Sequence, residues 1–213
     1  MAGYTMPEGM TSYDGSSLVL GPGETAHSIS GNSLDNQING SGITDYIYGG
    51  GGNDQVWGNN GDDVILGESG NDNLYGGNGN DLLLGGEGND ILIGNNGNDR
   101  LWGGTGDDIY YITTQDTGVN GLHFDSVNDD LSAAGNPGFG GGTDTVFLSD
   151  VTSAQVSLHR FGDDLVISTK DDAADGSLTS GVILDDFFLG GNNVIEKLQT
   201  SDNLVFDLTQ FLG

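Results

Sequence analysis

The chain has 213 residues, room for one domain or two small ones, and a formal charge of -28 from 4 Lys+Arg against 32 Asp+Glu. A polyanion of this kind does not bind nucleic acid by neutralising phosphates, and anionic lipid surfaces repel it. Cysteine is absent, Pro numbers only 3 against 40 Gly, and no apolar run approaches the roughly 18 residues of a spanning helix, which excludes collagen, Pro-rich linkers and a membrane span.

Residues 1–30 read as an N-terminal lead-in. The start, Met1 to Glu8, lacks the basic and apolar regions of a Sec-type signal peptide. A secreted chain without disulfides needs another staple, and metal is the usual one. A cysteine-free cytosolic chain is the alternative.

From Gly31 to Tyr111 a nine-residue frame runs without insertion. Two degenerate units, 31–39 and 40–48, precede seven clean ones, of which GNNGDDVIL (58–66) and GGNGNDLLL (76–84) are typical. The first position is Gly in all nine units, and the sixth is Asp in eight, failing only at Asn36. The fourth is Gly in seven, at Gly52, Gly61, Gly70, Gly79, Gly88, Gly97 and Gly106. At this Gly content, nine successive first-position glycines arise by chance in fewer than about one frame in a million. A flexible Gly-Asn linker has no register, so the frame is structural.

The pattern predicts a turn over positions one to six and a strand over seven to nine. Asn or Asp at the fifth position fits a left-handed conformation. Two units close one coil of eighteen residues, with position eight inside. One interior row holds Ile47, Ile65, Leu83 and Leu101; the other holds Ile38, Val56, Leu74, Leu92 and Tyr110. The predicted architecture is all-β, a right-handed parallel β-roll over 31–111. Its interior is thin, and apolar burial alone stabilises it weakly.

The acid itself has two readings. A solvated, halophile-like surface or a disordered acidic segment has no period; ligands do. The sixth positions stack Asp45, Asp63, Asp81 and Asp99 on one edge and Asp54, Asp72, Asp90 and Asp108 on the other. Carboxylates about 4.8 Å apart repel unless cations lie between them. Calcium takes six to eight oxygens from carboxylates and carbonyls, and Gly-rich turns expose carbonyls. Magnesium demands tighter geometry, and zinc calls for His or Cys, which the repeats lack. Neighbouring Asp pairs predict six Ca²⁺ sites: 45/63, 63/81, 81/99, 54/72, 72/90 and 90/108. Asn36 with Asp54 supplies a possible seventh. Residues 31–111 hold 13 Asp+Glu and one Arg, a charge of -12 that six Ca²⁺ cancel.

Residues 112–142 read as an irregular connection around Asn136-Pro137-Gly138. Residues 143–213 read as a β-rich C-terminal cap with short runs at 145–148, 155–160, 164–169, 181–187, 194–198 and 203–208, and a hairpin at Phe161–Asp164. Its expected core is Phe187, Phe188, Leu189, Ile195, Leu198, Val205, Phe206, Phe211 and Leu212. Asp144 is a candidate for one further calcium.

One outward face of the roll is apolar at Tyr46, Tyr48, Val64, Leu66, Leu82, Leu84 and Trp102. Such a patch is rarely left bare. The C-terminal segment is its expected cover, with self-association or another domain as alternatives. The other face carries Trp57, Tyr75 and Tyr111 beside Gln and Asn, read as packing ahead of a sugar-stacking surface. His27, His123 and His159 show no catalytic spacing, and no nucleophile elbow or phosphate loop is present, so no enzyme is expected.

The nonapeptide run resembles that of RTX (repeats-in-toxin) calcium-binding proteins, most specifically over 49–111. Tyr4-Thr-Met-Pro-Glu with Ser30–Asn36 resembles the family's lead-in. The stretches Gly142–Val146, Gly162–Ile167, Ile183–Phe188 and Ile195–Leu198 resemble its C-terminal flank. The resemblance implies a module of a larger toxin, enzyme or adhesin, exported unfolded through type I secretion machinery. It then folds on extracellular calcium. An adhesive module for carbohydrate or ice is the alternative. An ice-binding roll repeats Thr at an outward turn position, and here the third position has no Thr row.

Overall fold

The eighteen-residue period stacks like on like: Val64 pairs with Leu82, Ile65 with Leu83 and Leu66 with Leu84, all in parallel. The computed structural model describes residues 2–15, 26–113, 123–129, 141–170, 180–185, 187 and 194–212. Among these the strands are β1 (Ala2–Thr5), β2 (Ser12–Asp14), β3 (His27–Ser30), β4 (Gln37–Asn39), β5 (Asp45–Gly51), β6 (Gln55–Asn60) and β7 (Val64–Ser69). Then come β8 (Asn73–Asn78), β9 (Leu82–Glu87), β10 (Ile91–Asn96), β11 (Arg100–Thr105), β12 (Ile109–Ile112) and β13 (His123–Asn128). The last are β14 (Thr145–Leu148), β15 (Val156–Phe161), β16 (Asp164–Thr169), β17 (Ser180–Leu184), β18 (Lys197–Thr200) and β19 (Val205–Asp207), followed by a 3₁₀ turn at Leu208–Phe211.

Alternate strands enter alternate sheets. One sheet has ten strands in the order β1-β3-β5-β7-β9-β11-β13-β17-β16-β15; the other has nine, β19-β18-β14-β12-β10-β8-β6-β4-β2. Pairing is parallel from β1 to β17 in the first and from β2 to β18 in the second. This is an open, all-β parallel roll with a distinct C-terminal region. There the polarity reverses: β16 lies antiparallel on β17, β15 on β16, and β19 on β18. Reversal ends a parallel stack, because a further rung would need another crossover. The hairpin at Phe161–Asp164 joins β15 to β16.

Parallel pairing runs past 31–111 at both ends. The lead-in supplies β1 and β2, and the stretch expected to be irregular holds β13, whose Arg100↔Ser126 register continues the first sheet. The interior rows lengthen accordingly. Ile29, Val127 and Leu184 join one and Val146 and Leu198 the other, and every position-eight side chain from Ile38 to Tyr110 is fully buried. Met6 is buried at the N-terminal end, where Tyr4 and Tyr13 stack 4.4 Å apart.

Four expectations need correction. Strands β6 to β11 are six residues long, not three: Val64–Ser69 carries on through positions one to three of the next unit. Position two takes a positive φ, even at Asn59 (81°), Glu68 (75°) and Asn95 (71°), so the chain bends while Gly50 still pairs with Glu68. Fifth-position residues such as Asn53 and Asn71, by contrast, are not among those with positive φ. The described C-terminal strands β15 to β17 extend the first sheet edge to edge instead of lying over its apolar face, whose side chains stay partly exposed. Of the expected cap core, Phe187, Ile195 and Leu198 are buried, whereas Val205, Phe206, Phe211 and Leu212 are exposed, because β19 is an edge strand; Phe188 and Leu189 lie outside the described residues.

Candidate metal centre

In the seven clean units the turn between sheets is held by its position-four glycine. Gly79 has φ 136°, and a Cβ there would sit 1.9 Å from the Gly61 carbonyl oxygen one coil earlier. Gly52, Gly61, Gly70, Gly88, Gly97 and Gly106 share the positive φ, and the carbonyls of Gly52 through Gly88 face the position-four glycine of the next coil. Only a residue without a side chain tolerates both demands. Position one is glycine for a different reason. A Cβ on Gly58 would lie 2.3 Å from Asp63 Oδ2 and 2.6 Å from the Gly76 carbonyl oxygen. The Asp carboxylate and a carbonyl of the next coil therefore converge beside it.

The sixth-position side chains form two continuous ladders, one along each edge. The Asp45 N–H donates to Asp63 Oδ1 at 2.7 Å, Asp63 to Asp81 at 2.8 Å, Asp81 to Asp99 at 2.8 Å and Asp99 to Asp125 at 3.0 Å. On the other edge Asn36 donates to Asp54 at 2.8 Å, and Asp54 to Asp72, Asp72 to Asp90, Asp90 to Asp108 and Asp108 to Asp144 each at 2.7 Å. The Asp144 N–H then donates to Glu196 Oε2 at 2.8 Å. The eight repeat aspartates and Asp144 are at most 2% exposed.

One oxygen of each carboxylate is thereby used. The other, Oδ2, has no hydrogen-bond partner among the described residues in Asp54, Asp63, Asp72, Asp81, Asp90, Asp108 and Asp144. Asp45 differs: it accepts from the Ser41 N–H at 2.6 Å and hydroxyl at 2.9 Å, and His27 Nδ1 lies 3.2 Å from its Oδ1. His27 occupies the sixth-position register one coil before Asp45 and closes that ladder.

Burial pushes the Asp63 and Asp108 carboxyls up to about 8, Asp54 and Asp90 to about 7, and Asp72 and Asp81 to about 6. The N–H bond each accepts works against this, and nearby carboxylates add to it. Asp129 and Asp144 are raised as well, chiefly by burial. A metal-free ladder thus holds its charge reluctantly. A cation beside Oδ2 satisfies the buried oxygens and restores ionisation. The atoms that converge there are all oxygen, carboxylate and glycine carbonyl, a set that suits calcium and not zinc.

The sequence pattern located both runs of stacked aspartates, Asn36 included, and raised Asp144. It missed His27, Asp125, Asp129 and Glu196. Asp108, Asp129 and Asp144 offer carboxylate oxygens within 4.8 Å of one another. The missed rungs keep a faint signal: Asp125-Ser-Val-Asn and Glu196-Lys-Leu-Gln retain a polar sixth and an apolar eighth position. On the other outward face Trp57 stacks on Tyr75 at 5.5 Å, and Tyr111 meets Phe147 edge-on at 4.9 Å, as aromatic packing along a sheet requires.

The model of the RTX calcium-binding nonapeptide repeat family matches the chain in four copies, over residues 30–65, 39–74, 57–92 and 84–111. Among curated proteins, none matches the chain. That repeat is a structural, calcium-binding unit and not a catalytic one. Residues 30–111, which carry the eight stacked aspartates, are thus identified as RTX calcium-binding nonapeptide repeats.

Proposed function

We propose that this calcium-binding module is a calcium-responsive folding unit of an exported protein. The single observation that carries this reading is the row of buried Oδ2 atoms, from Asp54, Asp63, Asp72, Asp81, Asp90 and Asp108, without hydrogen-bond partners among the described residues. Two stacked columns of desolvated carboxylates oppose the metal-free fold, and calcium offsets them, so binding and folding are one equilibrium. Six ions lie between neighbouring aspartates at 45/63, 63/81, 81/99, 54/72, 72/90 and 90/108, with the Asn36/Asp54 interval weaker. Glycine carbonyls of positions one and four complete the oxygen set. Residues 31–111 are the calcium-binding body, and the antiparallel strands near the C-terminus close it.

RTX repeats are characteristic of secreted proteins, which supports an extracellular location and type I export, with the chain kept unfolded at low cytosolic calcium. Circular dichroism of the full chain in chelator and in millimolar calcium tests the proposal. β-signal should appear only with calcium, and equal signal in both overturns it. A second reading, an adhesive surface for carbohydrate or ice, draws on the partly exposed Trp57–Tyr75 stack. A glycan array and a thermal-hysteresis assay test it.

A further inference from the structure

Three carboxylates gather where the chain leaves the nonapeptide frame: Asp108, Asp129 and Asp144. Asn128 pairs with Trp102, so the next residue, Asp129, falls in register with Gly103, at the first position of the repeat. Every unit from 31 to 111 has glycine there. A Cβ on Gly103 would lie 2.1 Å from Asp108 Oδ2 and 2.4 Å from the Tyr110 hydroxyl. One coil on, the corresponding residue brings a carboxylate.

That carboxylate meets the ladder. Oxygens of Asp108, Asp129 and Asp144 all lie within 4.8 Å of one another, and the three residues are at most 1% exposed. Independently, Oδ2 of Asp108 and Oδ2 of Asp144 are buried without hydrogen-bond partners among the described residues. Asp129 accepts from the Gly141 N–H at 2.8 Å, and the Tyr110 hydroxyl stands 3.4 Å from its Oδ1. The tyrosine itself is a departure, because all other position-eight residues of the run are aliphatic. Its hydroxyl accepts from the Gly103 N–H at 2.8 Å and so is fixed beside the cluster. Among the described residues no basic side chain pairs with these three acids.

We infer that Asp108, Asp129 and Asp144 hold a further calcium ion, bound by three carboxylates and fastening the last repeat to the rungs that follow it. The inference rests on the calcium reading of the ladders and extends it to ligands outside the repeat. Its oxygen-only donors and higher ligand charge favour a hard divalent cation, and affinity in such sites rises with carboxylate count. The ion links Asp108 of the last nonapeptide to Asp129 after β13 and Asp144 before β14, across the point where the eighteen-residue spacing is lost.

A crystal structure of the full chain grown in calcium, with a lanthanide soak to mark ions by anomalous scattering, tests this directly. An ion within about 2.3–2.6 Å of an Asp129 carboxylate oxygen is expected. Ions along the ladders with none on Asp129 overturn this inference and leave the ladder reading intact. No ions anywhere overturn both. In parallel, native mass spectrometry should count one calcium fewer in Asp129→Asn than in the parent chain. Asp163→Asn, at the exposed β15–β16 turn, should keep the full complement. An Asp129→Asn chain that binds as many ions as the parent overturns the inference. If that variant does not fold, the crystal structure of the parent chain decides.

Discussion

Replacing Asp63 by Asn should change stability in opposite directions with and without calcium. Asp63 is 1% exposed, its Oδ1 accepts the Asp45 N–H, and its Oδ2 has no partner among the described residues. Burial pushes its carboxyl up to about 8 from 3.8. A folded-state value above the unfolded one means that the fold binds a proton the unfolded chain releases. The group therefore opposes folding once pH exceeds the unfolded value. Each unit is worth about 1.4 kcal/mol, so at pH 7.5 the opposition reaches at most about 5 kcal/mol. Asn keeps the hydrogen bond to Asp45 without the charge. In EDTA, D63N should therefore fold at a lower concentration of a protecting osmolyte than the parent chain. In calcium the variant loses a charged ligand at two of the proposed intervals, and the calcium midpoint should rise by about tenfold or more. Circular dichroism during osmolyte titration in EDTA, and during calcium titration, reads both. Destabilisation under both conditions would falsify the view that the carboxylate is a burden relieved by metal.

The same shifts set the pH behaviour. With the ladder values between about 6 and 8, the metal-free fold gains stability as pH falls from about 8 toward 4, so β-signal in EDTA should grow on acidification. In calcium the sense reverses: protons compete with metal, and the calcium midpoint should rise as pH falls below about 7. Gly79→Ala should cost at least about 2 kcal/mol in calcium, since a Cβ at φ 136° meets the Gly61 carbonyl at 1.9 Å. Gly162→Ala, with φ 65° and open space around it, should cost about 1 kcal/mol by strain alone. Asn71→Ala removes the acceptor of the Asn89 N–H at an exposed turn and should cost about 1 kcal/mol, read by urea denaturation in calcium.

The roll was legible because its period fixes both the inside and the edges. Position eight named the buried rows, and position six named the stacked carboxylates. The rungs outside the frame were hidden by insertions. Arg100 pairs with Ser126 and Ile109 with Thr145, so a search at fixed spacing loses them although Asp125-Ser-Val-Asn and Asp144-Thr-Val-Phe keep the local pattern. His27-Ser-Ile-Ser is a rung with histidine in the sixth position, invisible to a pattern that demands Asp. Asp129 has no signal of its own, since its meaning comes from standing opposite Gly103. At the other end, Val205, Phe206, Phe211 and Leu212 look like core by composition, but on an edge strand and its trailing turn only Leu208 is buried.

Positions five and six show what the aspartates are for. Both make a rung of hydrogen bonds between coils, in opposite senses. The Asn71 N–H donates back to Asn53 Oδ1, and Asn89 back to Asn71, each at 2.8 Å, while the Asp72 N–H donates forward to Asp90. Every turn is thereby tied to both neighbours. At position five the side chains are exposed and Asn serves as well as Asp: Asn53, Asn71, Asn80, Asn89 and Asn98 stand beside Asp62 and Asp107. At position six they are buried, where charge is expensive, yet eight of nine are Asp. A neutral amide oxygen accepts an N–H as well: at position five Asn53 and Asn71 accept the N–H of the next coil, and the sixth-position Asn36 side-chain oxygen accepts the Asn32 N–H of its own unit. Hydrogen bonding therefore accounts for an amide at position six and not for a charge. The charge needs a counterpart of opposite sign. Among the described residues His27 is the one basic group on either ladder, so that counterpart is a bound cation.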